Sequence, residues 1–204
     1  MKIKCELIVE RDGKPIYRGE SKSFLKNFGI VLAGMLKNNG DGSTGKTVSG
    51  IIDMSGVSKS AVVEQYVSDT YAKYMRIMGM NAGDNDDSYG ILVGSGSDPV
   101  SYNDYKLSSK INHGTSPGQL DYEPHVIASS YSDTSSYVEL YRTFINKTSS
   151  DIIVREVGIA AWTYSEVISG IDAKYLVVRD VLPAPVKVKP LGSLTVRYRV
   201  SLSL

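Results

Sequence analysis

The strongest constraint on this chain sits at its C-terminal end. Leu194, Val196, Tyr198, Val200, Leu202 and Leu204 alternate with Thr195, Arg197, Arg199, Ser201 and Ser203. Successive side chains leave a strand on opposite sides, so a period of two predicts a pleated strand with one face buried and two arginines facing solvent or a partner. The segments Tyr137–Ile145, Ile152–Trp162, Lys174–Val181 and Val186–Leu204 predict strands separated by Asn-Lys-Thr-Ser, Ser-Gly and Pro-rich turns. No β-α-β rhythm of a parallel sheet interrupts them. The expected fold is mainly β, an antiparallel β-sandwich of jelly-roll-like type.

The N-terminal part adds two further elements. Ile3, Cys5, Leu7 and Val9 alternate with Lys2, Lys4, Glu6 and Ile8, Asp12-Gly13 supplies a turn, and Ile16-Tyr17 begins a return strand. Phe24, Leu25, Phe28, Val31, Leu32, Met35 and Leu36 then follow a helical period, with Ser21 or Ser23 as the expected N-cap and Asn38-Asn39-Gly40 as the stop. Lys22, Lys26, Asn27 and Lys37 form the expected polar side of this amphipathic helix. Residues 40–50 read as a loop and 81–88 as a polar, acidic one, and Tyr89–Gly94 as a short buried strand. Residues 57–80 fit helix or strand equally. The length suits one β-sandwich domain over 1–204, with the hairpin and helix at about 1–38.

Composition narrows the function classes. With 23 basic and 22 acidic side chains the formal charge is +1, so no global basic field marks a nucleic-acid coat or a polybasic membrane anchor. One cysteine and two histidines offer little for a disulfide framework or a zinc site. No apolar run is long enough for a transmembrane segment, and the opening MKIKCELIVERDG lacks the apolar core of a signal peptide. Tyr is unusually frequent, at 14 against 3 Phe and 1 Trp, beside 27 Ser. Tyr pairs an apolar ring with a hydroxyl that tolerates water, which suits interfaces and half-exposed strands.

The motifs that could carry chemistry are weak. Gly40-Asp41-Gly42-Ser43-Thr44-Gly45-Lys46-Thr47 matches the phosphate-binding loop pattern, but that loop needs a strand before it and a helix after it. Here a helix precedes and Val48-Ser49-Gly50-Ile51-Ile52 follows, so the string reads as a decoy. Asp84, Asp86 and Asp87 start like a calcium loop, yet Ser95 stands where the closing Glu is required. Gly94-Ser95-Gly96 has Pro99 in place of the third Gly of a dinucleotide fingerprint. His113 and His125 read as structural or surface residues, because no G-x-S-x-G elbow accompanies them. Asn146-Lys147-Thr148 is a formal glycosylation sequon. No catalytic, cofactor-binding or metal-binding residue is assigned, and no cofactor is expected.

Several short strings, taken in order, resemble a group of virion structural proteins from tailed phages and other double-stranded DNA viruses, including archaeal ones. They are Ser23-Phe24-Leu25-Lys26-Asn27-Phe28, Asp53-Met54-Ser55-Gly56, Gly90–Gly96 with Pro99-Val100-Ser101, and Asp104-Tyr105-Lys106-Leu107. Ile111-Asn112-His113-Gly114, Gly118–Tyr122, Arg142–Asn146, Arg155–Ile159, Arg179-Asp180-Val181 and Leu194-Thr195-Val196 follow. The resemblance spans residues 20–204, and its specificity rests on the order of the strings. It implies a non-enzymatic assembly module of tail, adaptor, turret or capsid-associated type, located in a virion assembled in host cytoplasm. The partners it implies are copies of the chain itself in a ring or other symmetric assembly, other virion proteins, and no specific nucleic acid.

Within that reading, the helix at 23–37 and the loop at 40–50 are the expected subunit contacts. The loop 81–88 and the segment 112–136 are the expected contacts with other virion proteins. The alternative is an adhesin-type module recognising a host glycan or surface protein through Tyr102, Tyr105, Tyr122 and Tyr131.

Overall fold

A computed structural model describes residues 2–21, 23–37, 47–63, 75–165 and 169–203. Among the described residues the fold is mainly β, built of antiparallel sheets with one short helix near the N-terminus. Strands β1 (Lys2–Arg11) and β2 (Lys14–Glu20) form the expected hairpin. Asp12 and Gly13 both adopt positive φ at its tip, a conformation open to Gly and tolerated by Asp.

Helix α1 (Lys26–Leu36) forms where its period predicts, but it is rotated relative to the expected faces. Asn27 and Val31 are its buried residues, while Phe24 just before it and Leu32, Met35 and Leu36 within it are exposed. The reason is close docking. The Asn27 amide donates to the carbonyls of Ile52 and Leu176 and accepts the Ile52 N–H at 2.9 Å, tying the helix to two strands. At Gly34 an added Cβ would fall 2.3 Å from Val48 and 2.8 Å from Val63. The true inward face is thus Asn27, Val31 and Gly34, at i, i+4 and i+7. Nor does a serine cap the helix. Leu25 holds the N-cap position without a side-chain bond, and the Ser21 hydroxyl donates instead to Asp180 at 2.8 Å.

β3 (Thr47–Ile52) and β4 (Ser58–Val62) form a two-stranded sheet beside the helix. β5 (Met75–Gly79) follows, so the described parts of 57–80 hold strands and no helix; residues 64–74 lie outside the described residues. β6 (Gly90–Gly94) is buried along its whole length. Then come β7 (Asp121–Tyr122), β8 (Val126–Tyr131), β9 (Ser135–Ile145), β10 (Ile152–Ser165), β11 (Asp172–Val188) and β12 (Ser193–Ser203).

The 6-stranded sheet runs β2-β1-β12-β9, with β7 and β8 both laid along the far side of β9. The 4-stranded sheet is β11-β10, with β5 and β6 both along β10. The Pro-rich stretch is not the expected turn. Val181 pairs with Glu156 and Val186 with Val154, so Leu182–Pro185 swell out as a bulge and β11 continues to Val188. A bulge is a place where a sheet tolerates prolines, because it frees them from ladder hydrogen bonds. Leu7, Val9, Phe144 and Val196 of the larger sheet share one contiguous core with Ile91, Val93, Val157 and Val178 of the smaller.

Candidate functional site

Two buried arginines hold the loops in place. Glu156, fully buried at the middle of β10, accepts the Arg179 Nε at 2.8 Å and the backbone N–H groups of Ser108 and Ser109 at 3.0 and 2.7 Å. Arg179 also donates to Asp104 at 2.7 Å and to the carbonyls of Pro99 and Asp98, so one guanidinium pins the loop 98–109. Burial opposes its charge, but the bonds to Glu156 and Asp104 outweigh that and raise its pKa. A cavity of about 290 Å³ beside it is lined by Asp98, Tyr105, Leu107 and Arg179. Gly94 and Gly96 make room for the carboxylate: a Cβ on either would fall within 2.5 or 2.6 Å of Glu156 Oε1. The Gly-Ser-Gly string is therefore a wall against an ion pair.

Arg142 on β9 is fully buried, with no carboxylate in contact among the described residues. It donates to the carbonyls of Glu123 at 2.7 Å and Gly83 at 2.9 Å, more distantly to Tyr89 and Ile91, and lies over the Tyr122 ring. Burial lowers its pKa. The acidic loop is thereby fastened from below. Asp86 accepts from Ser88, and Asp87 takes the His113 N–H at 2.7 Å and the Lys110 ammonium at 3.2 Å.

Both histidines serve as backbone acceptors. His113 Nδ1 receives the Tyr122 N–H and His125 Nε2 receives the Ile91 N–H. Burial, aided by the Arg142 charge, pushes the His125 pKa down to about 3, so its imidazole is neutral at ordinary pH. The sequon is also structural. Asn146 is fully buried and its amide nitrogen donates to Ser150 and Val188 carbonyls. Most of the phosphate-loop-like string lies outside the described residues. Its flanks run helix then strand, α1 before it and β3 from Thr47, the reverse of the order such a loop requires. Among the described residues no three His, Cys, Asp or Glu side chains gather in a metal-holding group. No described helix is long and apolar enough to cross a membrane.

One end of the larger sheet is an exposed apolar surface. Its core face can be followed in rows across paired strands. Val9, Val196 and Arg142 make one row, Leu7, Tyr198, Leu140 and Ile127 the next, then Cys5, Val200, Val138 and Ser129. The first row is fully buried, whereas exposure reaches 52% at Ile127, 37% at Val200, 51% at Val138 and 87% at Tyr131. An apolar face thus continues past the end of the core into solvent. On the opposite face Arg197 pairs with Glu10 and Glu139, and Arg199 with Glu139, over the rings of Tyr141 and Tyr137. The two C-terminal arginines are therefore bound within the chain.

Sequence reasoning missed both buried arginines as organising residues. The available signal was a single charge inside a mostly apolar run, as in Leu140-Tyr141-Arg142-Thr143-Phe144 and Leu176-Val177-Val178-Arg179. Of the four tyrosines singled out, Tyr102 and Tyr131 are exposed, Tyr105 is partly covered beside Gly56, and Tyr122 is fully buried against Phe144. Comparison with family models, with curated proteins and with solved structures finds no match to this chain.

Proposed function

We propose that this protein is a non-enzymatic virion structural component, a jelly-roll-like β-sandwich that assembles into a symmetric oligomer of tail, adaptor, turret or capsid-associated type. The observation that carries the reading is the apolar end of the larger sheet, where Ile127, Val138 and Val200 continue the core face without cover among the described residues. Exposed apolar surface continuous with a core marks an interaction site, because leaving it in water forfeits about 25 cal/mol per Å². The near-zero formal charge agrees, since subunits without strong mutual repulsion can pack side by side.

The strings that carry the resemblance add support of a different kind. Gly94-Ser95-Gly96, Pro99, Asp104, Leu107, Glu156 and Arg179 come from five separated strings and meet around one ion pair. Residues grouped in that way build a scaffold. The partners on this reading are further copies of the chain and other virion proteins, and the site of action is the particle. Sedimentation velocity on the purified protein, with mass spectrometry of purified particles, tests it. Oligomers in the first and the chain in the second are expected; a monomer at high concentration that is absent from every particle fraction refutes it.

A second reading, an adhesin-type module, rests on Tyr102 and Tyr131, which are 62% and 87% exposed. Glycan-array binding that is lost on Tyr102→Ala or Tyr131→Ala would favour it.

A further inference from the structure

The exposed end of the larger sheet is bordered by a strand edge with an uncommon property. β8 (Val126–Tyr131) pairs with β9 and, among the described residues, with no other strand. The direction of its free backbone groups follows from its two ends. The Ser132 N–H bonds the Ser135 carbonyl across the hairpin, while the His125 N–H points the other way, to the Ala82 carbonyl at 2.9 Å. Antiparallel ladders alternate these directions residue by residue. Ile127, Ser129 and Tyr131 therefore turn their N–H and C=O groups outward, away from β9.

Natural edges are commonly protected by charge, proline or a bulge. The opposite edge, β2, has that protection in Lys14, Pro15 and Arg18. Val126–Tyr131 contains no charged side chain and no proline. A charged strand laid against its own copy would oppose like charges, and this one would not.

We propose that β8 joins two copies of this chain, edge to edge and antiparallel, across a two-fold axis through Ser129. This rests on the reading of the protein as a self-assembling component and names the surface and the partner. The outward groups of Ser129 then bond the Ser129 groups of the other copy, and Ile127 stands opposite Tyr131 on each side of the axis. A two-fold perpendicular to the sheet keeps the same face up in both copies. Ile127 and Tyr131 lie on the core face with Val138 and Val200, so the two uncovered apolar ends become one continuous surface. Such an interface uses main-chain bonds for affinity and the paired side chains for register.

The test uses the full chain. Ser129→Pro removes an outward N–H while leaving the bonds to β9, and Ile127→Lys sets two like charges close to the axis. Ile16→Lys on β2 is the control. Sedimentation velocity over a concentration series should show the wild type and Ile16→Lys associating alike. Both β8 variants should weaken the apparent dissociation constant by about tenfold or more. Far-UV circular dichroism checks the fold, and if Ser129→Pro fails it, Ile127→Lys, at an exposed side chain, decides. Wild-type association undisturbed by Ile127→Lys overturns the β8 assignment and leaves self-assembly standing. A wild-type chain that stays monomeric overturns the β8 assignment, and one that is also absent from every particle fraction overturns the reading on which it rests.

Discussion

Replacing Glu156 with Gln should destabilise the fold far more than its single-atom change in shape suggests. Three donors converge on the Glu156 carboxylate: Arg179 Nε and the Ser108 N–H on Oε2, and the Ser109 N–H on Oε1. Gln presents one acceptor oxygen and one NH2. Either rotamer of the amide aims that NH2 at a donor already within hydrogen-bond distance. The carboxamide has no space to swing aside, because the backbone at Gly94 and Gly96 closes over it. Loss of a charge-assisted bond costs about 1.5–3 kcal/mol, and a buried donor without an acceptor costs about 1–3 kcal/mol. Breaking a buried pair from one side falls at about 3–5 kcal/mol overall. For a chain of this length each kcal/mol moves the midpoint by about 2–4 °C, so Tm should fall by about 6–20 °C. Thermal melts followed by far-UV circular dichroism, paired with Arg179→Met and the double variant, give the coupling, expected at about 1–3 kcal/mol. A Tm change below about 2 °C, or strictly additive variants, would refute the assignment of this pair as the clamp on loop 98–109.

Three further outcomes follow from the packing and the titrating groups. His125 is held neutral in the folded chain with its pKa near 3, whereas an unfolded His titrates near 6.5, so the unfolded state binds the extra proton between those values. Stability should therefore drop as pH is lowered from about 6.5 towards 3, by up to about 1.4 kcal/mol per pH unit, and urea melts of His125→Gln should show a shallower pH dependence. Gly34→Ala gains helix propensity but drives a methyl into Val48 and Val63. The clash should win, with a net loss of about 1–3 kcal/mol in urea unfolding. Burial, with the Asp180 charge adding to it, raises the Cys5 thiol pKa to about 11. Iodoacetamide at pH 8 should label it on the order of a hundredfold more slowly than an unperturbed cysteine, and the rate should recover in urea.

The strands at 137–145, 152–162 and 194–203 and the hairpin at Asp12-Gly13 were legible because short-range pattern and turn chemistry are local properties. The helix was legible as a helix but its orientation was not. Periodicity counts Phe24, Leu32, Met35 and Leu36 as core, yet the surface it docks on accepts an amide and a bare backbone at Asn27 and Gly34. The Pro-rich stretch misled for a related reason. Proline ends a strand unless a bulge spares its missing N–H, and that depends on the register with β10.

By itself, the sequence determined that this chain is mainly β and antiparallel, with one N-terminal helix. Alternation, turns and helical period act over a few residues and need no partner to be read. Tertiary structure alone decided that Glu156, Arg179 and Asp104 meet, that Arg142 is buried on carbonyls, and that one apolar sheet end stays uncovered among the described residues. Those outcomes depend on which strands lie side by side and where one sheet ends relative to the other. Such contacts join residues dozens of positions apart, and the pattern along the chain carries no record of them.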